Sequence, residues 1–142
     1  MSFATTEQQL IEFIKSEVGN QYIGDDCAIL PGGFLVSCDT LAEGVHFLLP
    51  DHSLKDVGFK AVAVNLSDVA AMAGTPQFVL VNISIPTGFS TFDFKRLFRA
   101  MQEFAQMHRT KIVGGDITRG PNLHINVTIL GKENPRGSWL RS

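Results

Sequence analysis

No stretch of this sequence stays apolar for the roughly 18 residues that a membrane-spanning helix needs. Charge is sparse and balanced. Charged residues make up 18%, and 14 acids against 12 bases give a net −2. The bases are scattered, so composition offers no basic face for nucleic acid. Cysteine is nearly absent. Cys27 and Cys38 have no CxxC spacing and no histidine at zinc-ligand distance. They read as two ordinary thiols of a reduced, cytoplasmic protein, with a disulfide between them as the alternative. Met1 to Gln9 has neither a basic flank nor an apolar core, so a secretory signal is not expected there. What is abundant is apolar material: 44% of 142 residues, enough for one domain with a real core.

The pattern predicts a helix over Glu7 to Val18, opened by a Thr6/Gln9 capping box and stopped by Gly19. Leu10, Ile11, Ile14 and Val18 share its apolar face. A short strand ending near Leu30 and another over Phe34 to Cys38 flank Pro31-Gly32-Gly33, which reads as a hairpin turn. The second helix, about Leu54 to Met72, is apolar or small on almost every face, which predicts burial between layers. Gly74 and Pro76 end it. Phe78 to Ile85 alternates as a strand.

Ser90 and Asp93 open a third helix striped with Phe94, Leu97, Phe98, Met101, Phe104 and Ala105, all assigned to the core. A short strand over Lys111 to Val113 runs into Gly114-Gly115, and a last strand covers Leu123 to Ile129. After Gly131 the chain turns polar. These elements predict an α/β (α+β) fold: a mixed, mostly antiparallel sheet with helices on one face and the other face free for a partner subunit.

Four aspartates stand apart by position. Asp26 precedes an apolar strand, Asp39 and Asp116 follow strands, and Asp68 lies inside the apolar second helix. A buried carboxylate costs several kcal/mol unless it meets a cation or donors. Asn65, three residues earlier, adds a second polar group on that helical face. The plain readings are turn residues for the strand-end aspartates, and a cap or a lysine ion pair for Asp68. Taken together, oxygen ligands of this kind suit a hard cation held alongside substrate phosphates. Gly114-Gly115-Asp116-Ile117-Thr118-Arg119-Gly120-Pro121 adds backbone N–H groups and an arginine fork suited to phosphate, or is simply a glycine-rich turn. No GxxxxGK[ST] or GxGxxG is present, so a nucleotide site here is built differently. His46, in a loop past Asp39, is a candidate substrate contact or a structural histidine.

Four blocks now stand in order. They are Ile23-Gly24-Asp25-Asp26-Cys27-Ala28, the run from Asp39 to Phe47 (DTLAEGVHF), the run from Lys60 to Met72 (KAVAVNLSDVAAM), and Gly114 to Pro121. Together they resemble the N-terminal half of the thiamine-monophosphate kinase family, within the aminoimidazole ribonucleotide synthetase-like superfamily. The resemblance implies a sheet that pairs with a second subunit's into a barrel-like homodimer core. It also implies ATP held near that interface through several Mg²⁺ ions. Asp26, Asp39, Asp68 and Asp116 match metal-binding aspartates, and Ser37 and Cys38 match two further metal-contacting positions. Cys38 departs from the family's usual threonine, and a thiol is a poor magnesium ligand, so only its carbonyl would serve. His46 matches a substrate contact. Gly115 and Asp116 match nucleotide contacts, and Arg119 and Arg141 are further nucleotide-binding candidates.

The resemblance covers about half of such an enzyme. Residues 1–131 read as the ATP- and magnesium-binding domain, and residues 132–142 as a polar tail leading to an absent C-terminal domain, which favours an excised domain over a natural short form. The implied reaction is ATP plus thiamine monophosphate giving thiamine diphosphate and ADP. Its nucleophile is a phosphate oxygen, so no general base is needed; charge neutralisation and alignment are. The alternatives are the N-terminal domain of a related synthetase, of the aminoimidazole ribonucleotide or selenophosphate type, or a dimerising nucleotide-binding module inactive by itself.

Overall fold

A computed structural model describes residues 5–19 and 21–140. Helix α1 (Glu7–Val18) starts at the expected capping box. The Gln9 N–H donates to Thr6 Oγ1 at 3.3 Å, and the Thr6 N–H to the Gln9 side chain at 2.9 Å. Gly19 closes it in the left-handed region, with φ 60°. None of its residues is buried.

Strands β1 (Ala28–Leu30) and β2 (Phe34–Ala42) form the hairpin, turned by Gly32 and Gly33 at positive φ. Then come α2 (Leu54–Ala71), β3 (Thr75–Ile85), α3 (Thr91–Met107), β4 (Lys111–Arg119) and β5 (His124–Lys132). The strand order is β1-β2-β5-β3-β4. The pairing is antiparallel except between β3 and β4, which run parallel because α3 carries the chain across between them.

Several boundaries differ from the sequence pattern. β2 runs to Ala42 rather than Cys38, since β5 keeps pairing with it as far as Ala42 opposite His124. β3 begins at Thr75, and a register shift between Pro76 and Phe78 absorbs the proline's missing N–H. β4 continues through both glycines to Arg119, so Gly114 to Arg119 forms an edge strand and not a turn. β5 is shifted to His124–Lys132. Asp39 and Asp116 therefore lie within strands, not beyond them.

The core is a single layer between sheet and helices. Leu35, Val79, Val81, Ile83, Ile125, Val127 and Ile129 meet Val57, Val62 and Val69 of α2 and Leu97 and Met101 of α3. Gly58 lets the helices close up, since a Cβ there would sit 2.8 Å from the Leu97 carbonyl oxygen. α2 is not buried all round as expected. Lys55, Lys60, Ser67, Ala70 and Ala71 are exposed, because helices cover one sheet face only and alanine's apolarity does not compel burial. The opposite face stays open, with Phe34, Phe78, Leu80 and Val113 exposed.

Candidate functional site

Alternation along β2 puts Leu35, Ser37, Asp39 and Leu41 on the helix-facing side, and Val36, Cys38 and Thr40 on the open side. Where α2 passes beneath, Ser37 Oγ donates to Asp68 Oδ2 at 2.6 Å. One helical turn earlier, the Asp39 N–H donates to Asn65 Oδ1 at 3.1 Å. Asp68 is thus a half-buried carboxylate met by a strand hydroxyl, and it is no helix cap.

Asp26 adjoins Cys27, which packs on the C-terminal end of α2. Cys27 is buried, its N–H donates to Met72 Sδ at 3.0 Å, and its thiol is pushed up to about 12. Burial is the main cause, with the charges of Asp68 and Asp26 adding to it. Asp26 and Asp68 are thus both near enough to Cys27 for their charges to act on its thiol, and the Ser37 hydroxyl bonds Asp68. Cys38 points the other way, exposed on the open face as a free thiol.

The chain's C-terminal stretch returns here as well: the Trp139 N–H donates to the Met72 carbonyl at 3.2 Å. Arg141 lies outside the described residues.

The His46 loop is fastened at three points. The Ala42 N–H donates to His46 Nδ1 at 2.9 Å, Lys60 Nζ donates to the His46 carbonyl at 2.9 Å, and the Leu123 N–H donates to the Glu43 carboxylate at 3.1 Å. With Nδ1 accepting, the neutral ring carries its proton on Nε2, which is left as a donor.

Asp116 is elsewhere. It pairs with Asn82, Asn82 with Asn126, and Asn126 with Thr40. That separates it from β2 by three inter-strand steps, roughly 14 Å at strand spacing. Among the described residues no three His, Cys, Asp or Glu side chains gather into a metal-holding group. That register puts Asp116 on the open face with Thr40, while its segment of β4 edges a cleft of about 470 Å³ between α3 and β4, lined by Phe94, Phe98, Ile112, Gly114 and Ile117. Arg119 lines an adjoining space of about 310 Å³ with Phe89 and Phe94. Gly115, at φ 150°, packs so closely on β3 that a Cβ would run into the Val81 carbonyl oxygen. Phe94, expected in the core, packs against it but is only half-buried, and Phe98 is likewise half-buried; both wall this cleft, while Leu97 and Met101 on the same helix are fully buried. Edge strand β4 has no neighbour beyond it among the described residues, and the two rings stay partly exposed.

A family model described as AIR synthase related protein, N-terminal domain, matches residues 24–132. The chain is 37% identical over 125 residues to the thiamine-monophosphate kinase of Bacillus subtilis, which covers 84% of this chain and 38% of that protein. It is 32% identical over 126 residues to the kinase of Aquifex aeolicus, covering 87% and 41%. Among solved structures, AaThiL complexed with AMPPCP and TMP superposes with a TM-score of 0.87 at 31% identity, covering 93% of this chain and 45% of that one. The HypE–HypF complex, at 24% identity and a TM-score of 0.77 over 91% of this chain and 43% of that one, shares the fold. The chain spans about two fifths of the length of the curated relatives it matches.

Proposed function

The chain belongs, through residues 24–132, to the AIR synthase related family as an N-terminal domain, and from that we propose that it is the nucleotide- and magnesium-binding part of a thiamine-monophosphate kinase. The reaction transfers the γ-phosphoryl group of ATP to the phosphate of thiamine monophosphate, giving thiamine diphosphate and ADP. The observation that carries this reading is the Ser37–Asp68 bond across the α2–β2 junction, where a carboxylate on an otherwise apolar helix meets a strand hydroxyl.

The donor set fits magnesium. That ion takes one or two carboxylates and completes its shell with water and substrate phosphates, so a pair with a hydroxyl suffices. Asp26, Asp39, Asp68 and Ser37 would hold ions at the junction, with Cys38 contributing at most its carbonyl. Asp116, three strand steps away, would hold a separate ion carried with the nucleotide. Bound magnesium supplies neutralisation of the charge on two phosphates that otherwise repel.

The remaining work falls to the chain's own groups. The cleft between α3 and β4 offers two phenylalanine faces and an apolar floor for a purine base. Gly115 lets the backbone approach, and Arg119 and Arg141 offer guanidinium forks for phosphate oxygens. His46 orients the acceptor through Nε2–H, its ring direction set by the Ala42 N–H. No side chain needs to take a proton, since the attacking phosphate oxygen is already anionic.

The open sheet face, with four large apolar side chains exposed, supports pairing with a second copy into a barrel-like core. Light scattering after size exclusion is expected to read twice 15.5 kDa; a clean monomer contradicts the pairing. For the chemistry, a protein carrying this domain is incubated with ATP, Mg²⁺ and thiamine monophosphate, and the products are separated. Thiamine diphosphate and ADP in equal amounts is the expected result. Aminoimidazole ribonucleotide synthesis with no thiamine diphosphate contradicts the proposal.

A further inference from the structure

β1 covers only the stretch of β2 opposite Phe34, Leu35 and Val36. Beyond Val36 the outer edge of β2 has no strand partner among the described residues, although β5 continues along its inner edge to Ala42. A backbone N–H on that outer edge needs another acceptor. At Asp39 the acceptor is a side chain from α2, Asn65 Oδ1 at 3.1 Å. The other end of the same amide donates to the Ala61 carbonyl at 3.0 Å, one turn back along the helix. Asn65 is 0% exposed, and both ends of its amide are engaged.

The Ala61 bond fixes which way the amide faces, and the amide in turn fixes the height of Asp39 above α2. The Ser37–Asp68 bond repeats the arrangement one turn on. Residues three apart on the helix thus address residues two apart on the strand, as the two periodicities require.

We infer that Asn65 is a positioning residue for Asp39, replacing the missing strand partner so that the Asp39 carboxylate stands at a set distance from Asp68. This rests on the magnesium-site reading above. Asn65 is fully buried with both ends of its amide bonded to backbone, which places it behind the ion rather than on it. Groups that orient metal ligands from behind typically cost about 10–100-fold in metal affinity when removed, whereas an amide that merely satisfies a buried N–H would change stability alone.

The test uses this chain with Asn65→Leu, which keeps the side-chain size, and Asn65→Ala. Binding of the ATP analogue AMPPCP is followed calorimetrically across Mg²⁺ concentrations, with thermal unfolding measured in parallel. The expected result is a Mg²⁺ midpoint raised about 10–100-fold, with nucleotide affinity recovered at saturating Mg²⁺. An unchanged midpoint in folded variants, even with a lowered Tm, overturns the inference and leaves the magnesium site standing. Absence of Mg²⁺-dependent binding in the unsubstituted chain overturns both. Should the variants not fold, hydrogen exchange in the unsubstituted chain decides. A protected Asp39 amide is expected, and one that exchanges as fast as an open strand edge contradicts the inference.

Discussion

Ser37 Oγ donates to Asp68 Oδ2 at 2.6 Å, at the short end of the range for a hydroxyl donor. The bond joins the middle of β2 to α2 and turns an awkward helical charge into one end of a polar junction. Asp68 is half-buried, so its carboxylate is only partly hydrated and depends on such donors.

Ser37→Ala removes that donor. A hydrogen bond to a charged group is worth about 1.5–3 kcal/mol when buried, and partial exposure puts this one near the lower end. Denaturant unfolding is expected to show a loss of about 1.5 kcal/mol. Added Mg²⁺ should return part of it by taking over the charge. A loss that Mg²⁺ does not touch would detach this junction from metal binding.

Cys27 predicts a pH dependence. Its folded pKa is raised from 9.0 to about 12, so folding favours the neutral thiol. The stability this contributes is fully present below pH 9 and is lost as pH rises from 9 towards about 12. Cys27→Ala lacks this term. Its stability relative to the unsubstituted chain should therefore improve by about 1.4 kcal/mol per pH unit above 9. Parallel pH profiles of the two proteins would refute the raised thiol.

Gly115→Ala places a Cβ against the Val81 carbonyl at a backbone angle that side chains avoid. Strain of this kind costs about 1–3 kcal/mol, and overpacking adds a similar amount. Unfolding experiments should show a loss of about 2–4 kcal/mol. Gly88→Ala is a control for positive φ alone, since nothing lies within 4 Å of a Cβ there.

Phe98→Ala tests the cleft between α3 and β4. Removing one aromatic wall should weaken AMPPCP binding about tenfold, the equivalent of about 1.4 kcal/mol, and leave the Mg²⁺ midpoint unchanged. A shift in the Mg²⁺ midpoint with intact nucleotide affinity would place the base elsewhere.

Much of the fold was legible because strong local signals agreed with it. The Thr6/Gln9 box, the Gly32-Gly33 turn and the Ser90 cap act within a few residues, and each sits where the pattern put it. The misjudged places depend on pairing partners distant in sequence. Gly114 to Arg119 has turn composition, and only β3 alongside makes it a strand. Asp39 looked like a post-strand residue until β5 extended the pairing past it. Phe94 and Phe98 share the periodicity of Leu97 and Met101, and their place beside edge strand β4 leaves them only half-buried. Asp68 was readable as an anomaly from the helix around it, but its partner Ser37, 31 residues away, was not. Asn65 and Lys60 carried no signal beyond polarity on a helix, since what they bind is backbone of β2 and the His46 loop.

The central claim is that the α2–β2 junction holds magnesium for a nucleotide. The most direct measurement is calorimetric titration of this chain with AMPPCP, with and without Mg²⁺, beside Asp68→Asn. The account predicts binding that requires Mg²⁺ and falls at least about tenfold in Asp68→Asn, a loss of about 1.4 kcal/mol or more, in a variant that remains folded. Nucleotide binding of equal strength with and without Mg²⁺, unaltered by Asp68→Asn, would contradict it.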